Sequence, residues 1–124
     1  VERYIPDFPE VCYDLADLAV KPLTIIYPGA TKLSKSILGE DGSIGIRITK
    51  DPICLQLIRG MRKPLVSTSA NLSGEVTPNS FKEISAAIKQ GVDVIVQERQ
   101  TEIMATPSQI IKIGVGGDVE IIRK

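Results

Sequence analysis

Pro64-Leu65-Val66-Ser67-Thr68-Ser69-Ala70-Asn71-Leu72-Ser73-Gly74 begins as a short apolar run and turns hydroxyl- and amide-rich before it reaches a glycine. The apolar start suits a buried strand, and the small polar residues suit a loop that the strand feeds. With residues 64–66 read as a strand, the flanks decide the fold. Upstream, Asp51-Pro52 is an N-cap followed by proline at the first helical position, and Ile53, Leu57, Ile58 and Met61 carry an apolar face as far as the break at Lys63-Pro64. Downstream, Thr77-Pro78-Asn79 caps a second helix running to Gln90, with Phe81, Ile84, Ala87 and Ile88 at helical spacing and Gly91 at the C-cap position. A strand between two helices predicts an α/β domain.

The loop itself carries chemistry. Ser67, Thr68, Ser69, Asn71 and Ser73 offer neutral donors and acceptors with little bulk to keep a ligand from the backbone, which suits an anion or a polar small molecule. Taken alone, the segment also reads as an ordinary Asx or Ser/Thr turn closing a strand.

Further out, Asp7 and Pro9 cap a helix over residues 10–20, with Val11, Leu15, Leu18 and Ala19 near one face and Pro22 ending it. Leu23-Thr24-Ile25-Ile26-Tyr27 is a short β-branched core strand closed by Pro28-Gly29. Residues 31–42 are polar, with one helical turn around 34–38. Ser43-Ile44-Gly45-Ile46-Arg47-Ile48-Thr49 alternates, setting Ile44, Ile46 and Ile48 on one side and Ser43, Gly45, Arg47 and Thr49 on the other. An arginine beside a glycine and a hydroxyl on one strand face can clamp a carboxylate or phosphate with its planar fork; the plainer reading is a solvated arginine on a half-exposed strand. Residues 93–97 read as a further strand and 98–105 as a loop. Residues 107–113 and 119–123 flank Gly114-Val115-Gly116-Gly117-Asp118 as a hairpin. Strand–helix–strand units give parallel pairs and a hairpin gives an antiparallel one. The expected fold is therefore an α/β domain, a twisted mixed parallel/antiparallel sheet with flanking helices, in a single domain over residues 1–124.

Fifteen Lys and Arg balance fifteen Asp and Glu, so no overall field draws the chain to nucleic acid or to an anionic membrane. Cys12 and Cys54 stand alone in a chain without His, which excludes a Cys/His zinc site and leaves both as buried, reduced core residues. No apolar stretch is long enough to cross a bilayer and no signal peptide is evident, so the expectation is a cytoplasmic protein without membrane partners. Asn71-Leu72-Ser73 matches a glycosylation sequon by chance in that setting. The absence of His removes the Ser-His-acid triad. There is no phosphate-binding GxxxxGK[ST] loop, the glycines at 114–117 lack the strand-to-helix setting of a dinucleotide fingerprint, and no carboxylates are paired. What remains is a site of hydroxyls, amides, backbone N–H groups and arginine, which orients anions more readily than it moves protons.

With these residues in view, the chain resembles the YrdC-like, or TsaC-like, threonylcarbamoyladenylate synthases. The resemblance rests on Pro22-Leu23-Thr24-Ile25-Ile26, Ser43-Ile44-Gly45-Ile46-Arg47-Ile48, the block from Pro64 to Gly74, Thr77-Pro78, Pro107-Ser108-Gln109-Ile110-Ile111 and Ile121-Ile122-Arg123, in family order and at family-like spacing. It implies a nucleotidyltransferase that makes threonylcarbamoyl-AMP from L-threonine, bicarbonate and ATP with release of pyrophosphate, the first step of the N6-threonylcarbamoyladenosine modification of tRNA. It also implies roles for individual residues. Arg47 would hold the threonine carboxylate with Ser67 and Ser108 lining the amino-acid pocket, and Ser43, Ser69, Asn71, Thr77 and Arg123 would contact ATP, with Mg²⁺ assisting the departing pyrophosphate. No residue is assigned as a metal ligand or as a catalytic acid or base.

The family's Pro-Thr-Asp-Thr-like strand and Lys-x-Arg motif are missing. The chain thus corresponds to the C-terminal two-thirds of a typical member, begins at Val1 as a piece of something longer would, and is expected to be weak or inactive alone. The family's Ser-Thr-Ile is Ser108-Gln109-Ile110 here, which alters the surroundings of Ser108. The alternative the resemblance allows is a double-stranded-RNA-binding module without catalysis, with Lys32, Lys35, Lys50, Arg59, Arg62 and Lys63 as a local patch. Such a module, or the enzyme, would have tRNA and other tRNA-modification proteins as partners, and an exposed sheet edge would favour a dimer.

Overall fold

The computed structural model describes residues 1–104 and 106–124, and the chain forms two compact units, Val1–Leu57 with Ser108–Lys124, and Ile58–Pro107. Ala105, at the end of the loop expected over residues 98–105, lies outside the described residues.

The first unit is built on a sheet of β1 (Leu23–Tyr27), β2 (Ile44–Arg47), β3 (Gln109–Ile113) and β4 (Val119–Arg123) in the order β2-β1-β3-β4. β1 pairs antiparallel with β2 and parallel with β3, while β3 and β4 form the antiparallel hairpin. This is the mixed sheet expected from the sequence. Because side chains alternate along each strand, Ile25 and Tyr27 fall on the same face as Ile111 and Ile113, and all four are buried there with Ile5 and Cys12. Thr24, Arg47 and Ile110 fall on the opposite face, since Thr24 stands directly across from Arg47 in one ladder and from Ile110 in the other.

The helix α1 (Val11–Leu18) contributes Cys12 and Leu15 to the core, whereas Val11 is exposed and Leu18 is 79% exposed, which corrects the face expected for it. The stripe that packs begins before the helix: Phe8, Cys12 and Leu15 share a helical spacing, and the Phe8 ring stacks on Tyr27 with centroids 5.5 Å apart. The N-cap is Glu10 without a side-chain hydrogen bond, and Cys12 N–H donates to the carbonyl of Pro9 at 3.0 Å, so the expected cap at Asp7 is not formed.

Both cysteines are free thiols, but Cys54 is only half-buried, another departure from expectation. Burial pushes the Cys12 thiol up, with its hydrogen bond to Tyr27 lowering it in part, and burial likewise drives the Tyr27 hydroxyl well above its ordinary range. Because the thiolate is the reactive form, a disulfide-exchange reagent is expected to modify Cys54 in the native chain and Cys12 only on unfolding; two equally fast thiols would contradict this packing.

The helix α2 (Pro52–Met61) starts as expected, with Asp51 Oδ1 accepting the Cys54 N–H at 2.9 Å. In the second unit, residues 64–66 are not a strand. Pro64 has no N–H to give a ladder, no partner strand stands beside the segment among the described residues, and Val66 is 76% exposed. Residues 93–97 likewise form no strand. The helix expected from Thr77 to Gln90 is split into a 3-10 turn at Phe81–Glu83 and α3 (Ala86–Gly91). Ser85 causes the break: its hydroxyl accepts the Ile88 N–H at 3.4 Å, so a serine inside the apolar pattern acts as an N-cap and restarts the helix. Gly91 is the last helical residue and Val92 takes the C-cap position. An isolated bridge between Ser80 and Ile103 ties the ends of this unit's loops. No helix among the described residues is long and apolar enough to cross a membrane.

Candidate ligand-binding site

The polar face of the sheet gathers four of the residues singled out from sequence or their direct neighbours. Arg47 is exposed and lies across from Thr24, and its guanidinium makes no hydrogen bond or ion pair with another described residue. Thr24 Oγ1 and Ser108 Oγ are 3.1 Å apart and hydrogen-bonded. From β4, Arg123 donates through Nε to the Ser108 carbonyl at 2.8 Å and through Nη2 to the Ser108 hydroxyl at 3.3 Å. Arg123 reaches this face because the β3–β4 register shifts between Ile110 and Ile111, so that Arg123 pairs with Ile110 while Ile121 pairs with Ile111. The result is one guanidinium open to a ligand, one guanidinium engaged in holding a serine, and two hydroxyls joined to each other. Such a group can take a carboxylate on the free fork and supply a hydroxyl beside it.

Ser43 precedes β2 and sits in a tight turn. Gly42 adopts φ +78°, a left-handed backbone that favours glycine, and Gly39 N–H donates to the Ser43 carbonyl at 2.8 Å. Asp41 organises the turn by accepting from Ser43 N–H at 3.1 Å and from the Ser43 hydroxyl at 2.5 Å, and Lys112 Nζ on β3 lies 3.4 Å from its other oxygen. Neither Asp41 nor Lys112 was singled out from sequence; the Asp41-Gly42 dipeptide was the available turn signal. The Ser43 hydrogen bonds, then Lys112, hold the Asp41 carboxyl down at about 2. Because the folded value lies below that of a free carboxylate, the stabilisation is present above the ordinary range near 4 and is lost as pH falls toward 2. A carboxyl-carbon NMR titration is expected to place Asp41 near 2, and Asp41→Asn to speed exchange of the Ser43 amide; an ordinary midpoint with unchanged exchange would contradict this turn.

In the second unit, Asn71 spends both side-chain hydrogens on its own loop, donating from Nδ2 to the Leu72 carbonyl at 2.8 Å and to the Glu75 carbonyl at 3.2 Å. Its Oδ1 is buried and has no partner among the described residues. The Asn71 side chain thus serves to hold its own loop. Gly74 closes this loop at φ +84°. Ser67, Ser69 and Thr77 are exposed, and their hydroxyls make no hydrogen bond to another described residue. Four of the site residues expected from sequence thus lie in the first unit (Ser43, Arg47, Ser108 and Arg123) and four in the second (Ser67, Ser69, Asn71 and Thr77).

Among the described residues no three His, Cys, Asp or Glu side chains are grouped as metal ligands. Magnesium carried on nucleotide phosphates needs no such cage, since it typically keeps several waters and takes only one or two protein carboxylates.

Comparison with known proteins relates the chain as a whole to one family. The family model for Sua5/YciO/YrdC, described as telomere recombination, matches residues 1–124. A relative from Psychromonas ingrahamii, named threonylcarbamoyl-AMP synthase, is 33% identical over 96 residues, covering 77% of this chain and 50% of that protein. A relative of the same name from an Enterobacter species is 33% identical over 89 residues, covering 72% of this chain and 46% of its own length. The chain spans about half the length of these relatives. No solved structure matches it significantly.

Proposed function

Since the chain belongs to the Sua5/YciO/YrdC family, we propose that it carries the amino-acid-binding half of an L-threonylcarbamoyladenylate synthase, together with the Ser69–Asn71 loop that contacts ATP. The observation that carries this reading is the exposed Arg47 guanidinium across the strand from Thr24, whose hydroxyl is bonded to Ser108. A free arginine fork beside a hydroxyl is the recognition set for a carboxylate, and the name of the relatives supplies the amino acid. In this reading Arg47 takes the L-threonine carboxylate and Ser108, in the same unit, stands beside it. Contacts to ATP are proposed for Ser43 and Arg123 in the first unit and, separately, for the loop of Ser69 and Asn71 and for Thr77 in the second. The reaction joins a carbamate oxygen of N-carboxylated threonine to the α-phosphorus and breaks its bond to the pyrophosphate. The residues named bind and orient, and none of them is required to carry a proton. Magnesium, when bound with the nucleotide, would neutralise phosphate charge.

The direct test is release of pyrophosphate from ATP by the chain, dependent on both L-threonine and bicarbonate, alongside calorimetric binding of L-threonine. Arg47-dependent binding of L-threonine supports the assigned pocket whether or not turnover follows. Absence of binding in the intact chain overturns the assignment of the pocket to these residues.

A further inference from the structure

Resting on the carboxylate reading of Arg47, we infer that Thr24 is a positioning residue for the amino-acid pocket and acts through Ser108. Three observations converge on it. Thr24 is the direct cross-strand partner of Arg47, so the two side chains share one face. Its hydroxyl is 3.1 Å from Ser108 Oγ, although the residues are far apart in sequence and sit on neighbouring strands. Its methyl is seated at Gly45, where an added Cβ would come within 3.3 Å of Thr24 Cγ2.

A β-branched side chain has few χ1 choices on a strand. With the methyl placed against the bare backbone of Gly45, the hydroxyl is directed to Ser108. Arg123 then fixes the other side of that serine, through the carbonyl at 2.8 Å and the hydroxyl at 3.3 Å. Ser108 is thereby held between a threonine hydroxyl and a guanidinium, with Arg47 as the free fork on the same sheet face. Thr24 need not touch the substrate. Its effect is to keep the Ser108 hydroxyl beside the anion that Arg47 holds.

The test is a double-mutant cycle read by calorimetric titration with L-threonine. Thr24→Val keeps the shape and removes the hydroxyl. In the otherwise unmodified chain it is expected to weaken binding about three- to tenfold, the range for one neutral hydrogen bond. In a Ser108→Ala background the same substitution is expected to change binding less than about twofold, because its only route of action is gone. Thr24→Ser restores the hydroxyl and is expected to recover most of the affinity, which separates positioning from packing. Equal losses from Thr24→Val in both backgrounds, or no loss in either, overturn the inference while leaving Arg47 in place. If Arg47→Ala binds L-threonine as well as the parent chain, the carboxylate reading itself fails, and the role of Thr24 falls with it.

Discussion

Replacement of Arg47 by alanine is expected to weaken binding of L-threonine by one to two orders of magnitude, about 10- to 150-fold, while leaving the fold intact. The guanidinium is exposed at the end of β2 and has no protein partner among the described residues, so its removal takes nothing from the core. What it removes is a two-pronged, charge-assisted contact to a carboxylate, worth about 1.5–3 kcal/mol, or roughly a 10- to 150-fold loss in affinity. Arg47→Lys should recover only part of this, since an ammonium keeps the charge but not the fork. Calorimetry with L-threonine and thermal unfolding of each variant would be run together. Undiminished binding in a folded Arg47→Ala chain would remove the central residue of the proposed site, and a large loss of stability would show that Arg47 is structural instead.

The readable part of this site was its cationic strand. The alternation of Ile44, Ile46 and Ile48 with Gly45 and Arg47 fixes which side chains face away from the core, and the structure keeps that pattern over Ile44–Arg47. β1, β2 and the final hairpin are legible for the same reason: β-branched runs of this length, closed by Pro28-Gly29 or by Gly114, Gly116 and Gly117, have few alternatives. Less could be read of what surrounds Arg47. The bond between Thr24 and Ser108 joins residues far apart in the chain, and no local pattern announces it. Arg123 turns toward Ser108 only because of the register shift near Ile110, which depends on the hairpin as a whole.

The second unit departs from its sequence pattern where that pattern has no tertiary support. Residues 64–66 and 93–97 are apolar enough for strands, yet a strand requires a neighbour to bond with, and none stands there among the described residues. Ser85 is masked in the sequence because its neighbours Ile84, Ala87 and Ile88 keep helical spacing across it, while its hydroxyl competes for the Ile88 amide and restarts the helix. Asn71 shows the same limit in the site. The resemblance implies a ligand contact there, but only the geometry reveals that both amide hydrogens are consumed by Leu72 and Glu75 while Oδ1 is buried.

Ile113→Ala is expected to be strongly destabilising, and its comparison with Ile121→Ala isolates burial as the cause. Both isoleucines lie in the β3–β4 hairpin, and both substitutions remove the same atoms. Ile113 is 0% exposed in the cluster with Ile5, Cys12, Ile25, Tyr27 and Ile111, whereas Ile121 is 61% exposed. Emptying a buried isoleucine site costs about 2–5 kcal/mol, from lost transfer energy and the cavity left behind. That is a large share of the 5–15 kcal/mol that typically holds a domain folded. At an exposed position the same change is usually within about 0.5 kcal/mol. Thermal or denaturant unfolding should therefore show a midpoint for Ile113→Ala more than about 10 °C below that of the parent chain, and one for Ile121→Ala within a few degrees of it. Equal destabilisation would mean that β4 is covered in solution and that the buried face of the sheet extends past Ile111. The expected asymmetry would instead tie stability to the Ile25, Tyr27, Ile111 and Ile113 face and leave the opposite face, with Thr24 and Arg47, free to be shaped by the ligand it holds.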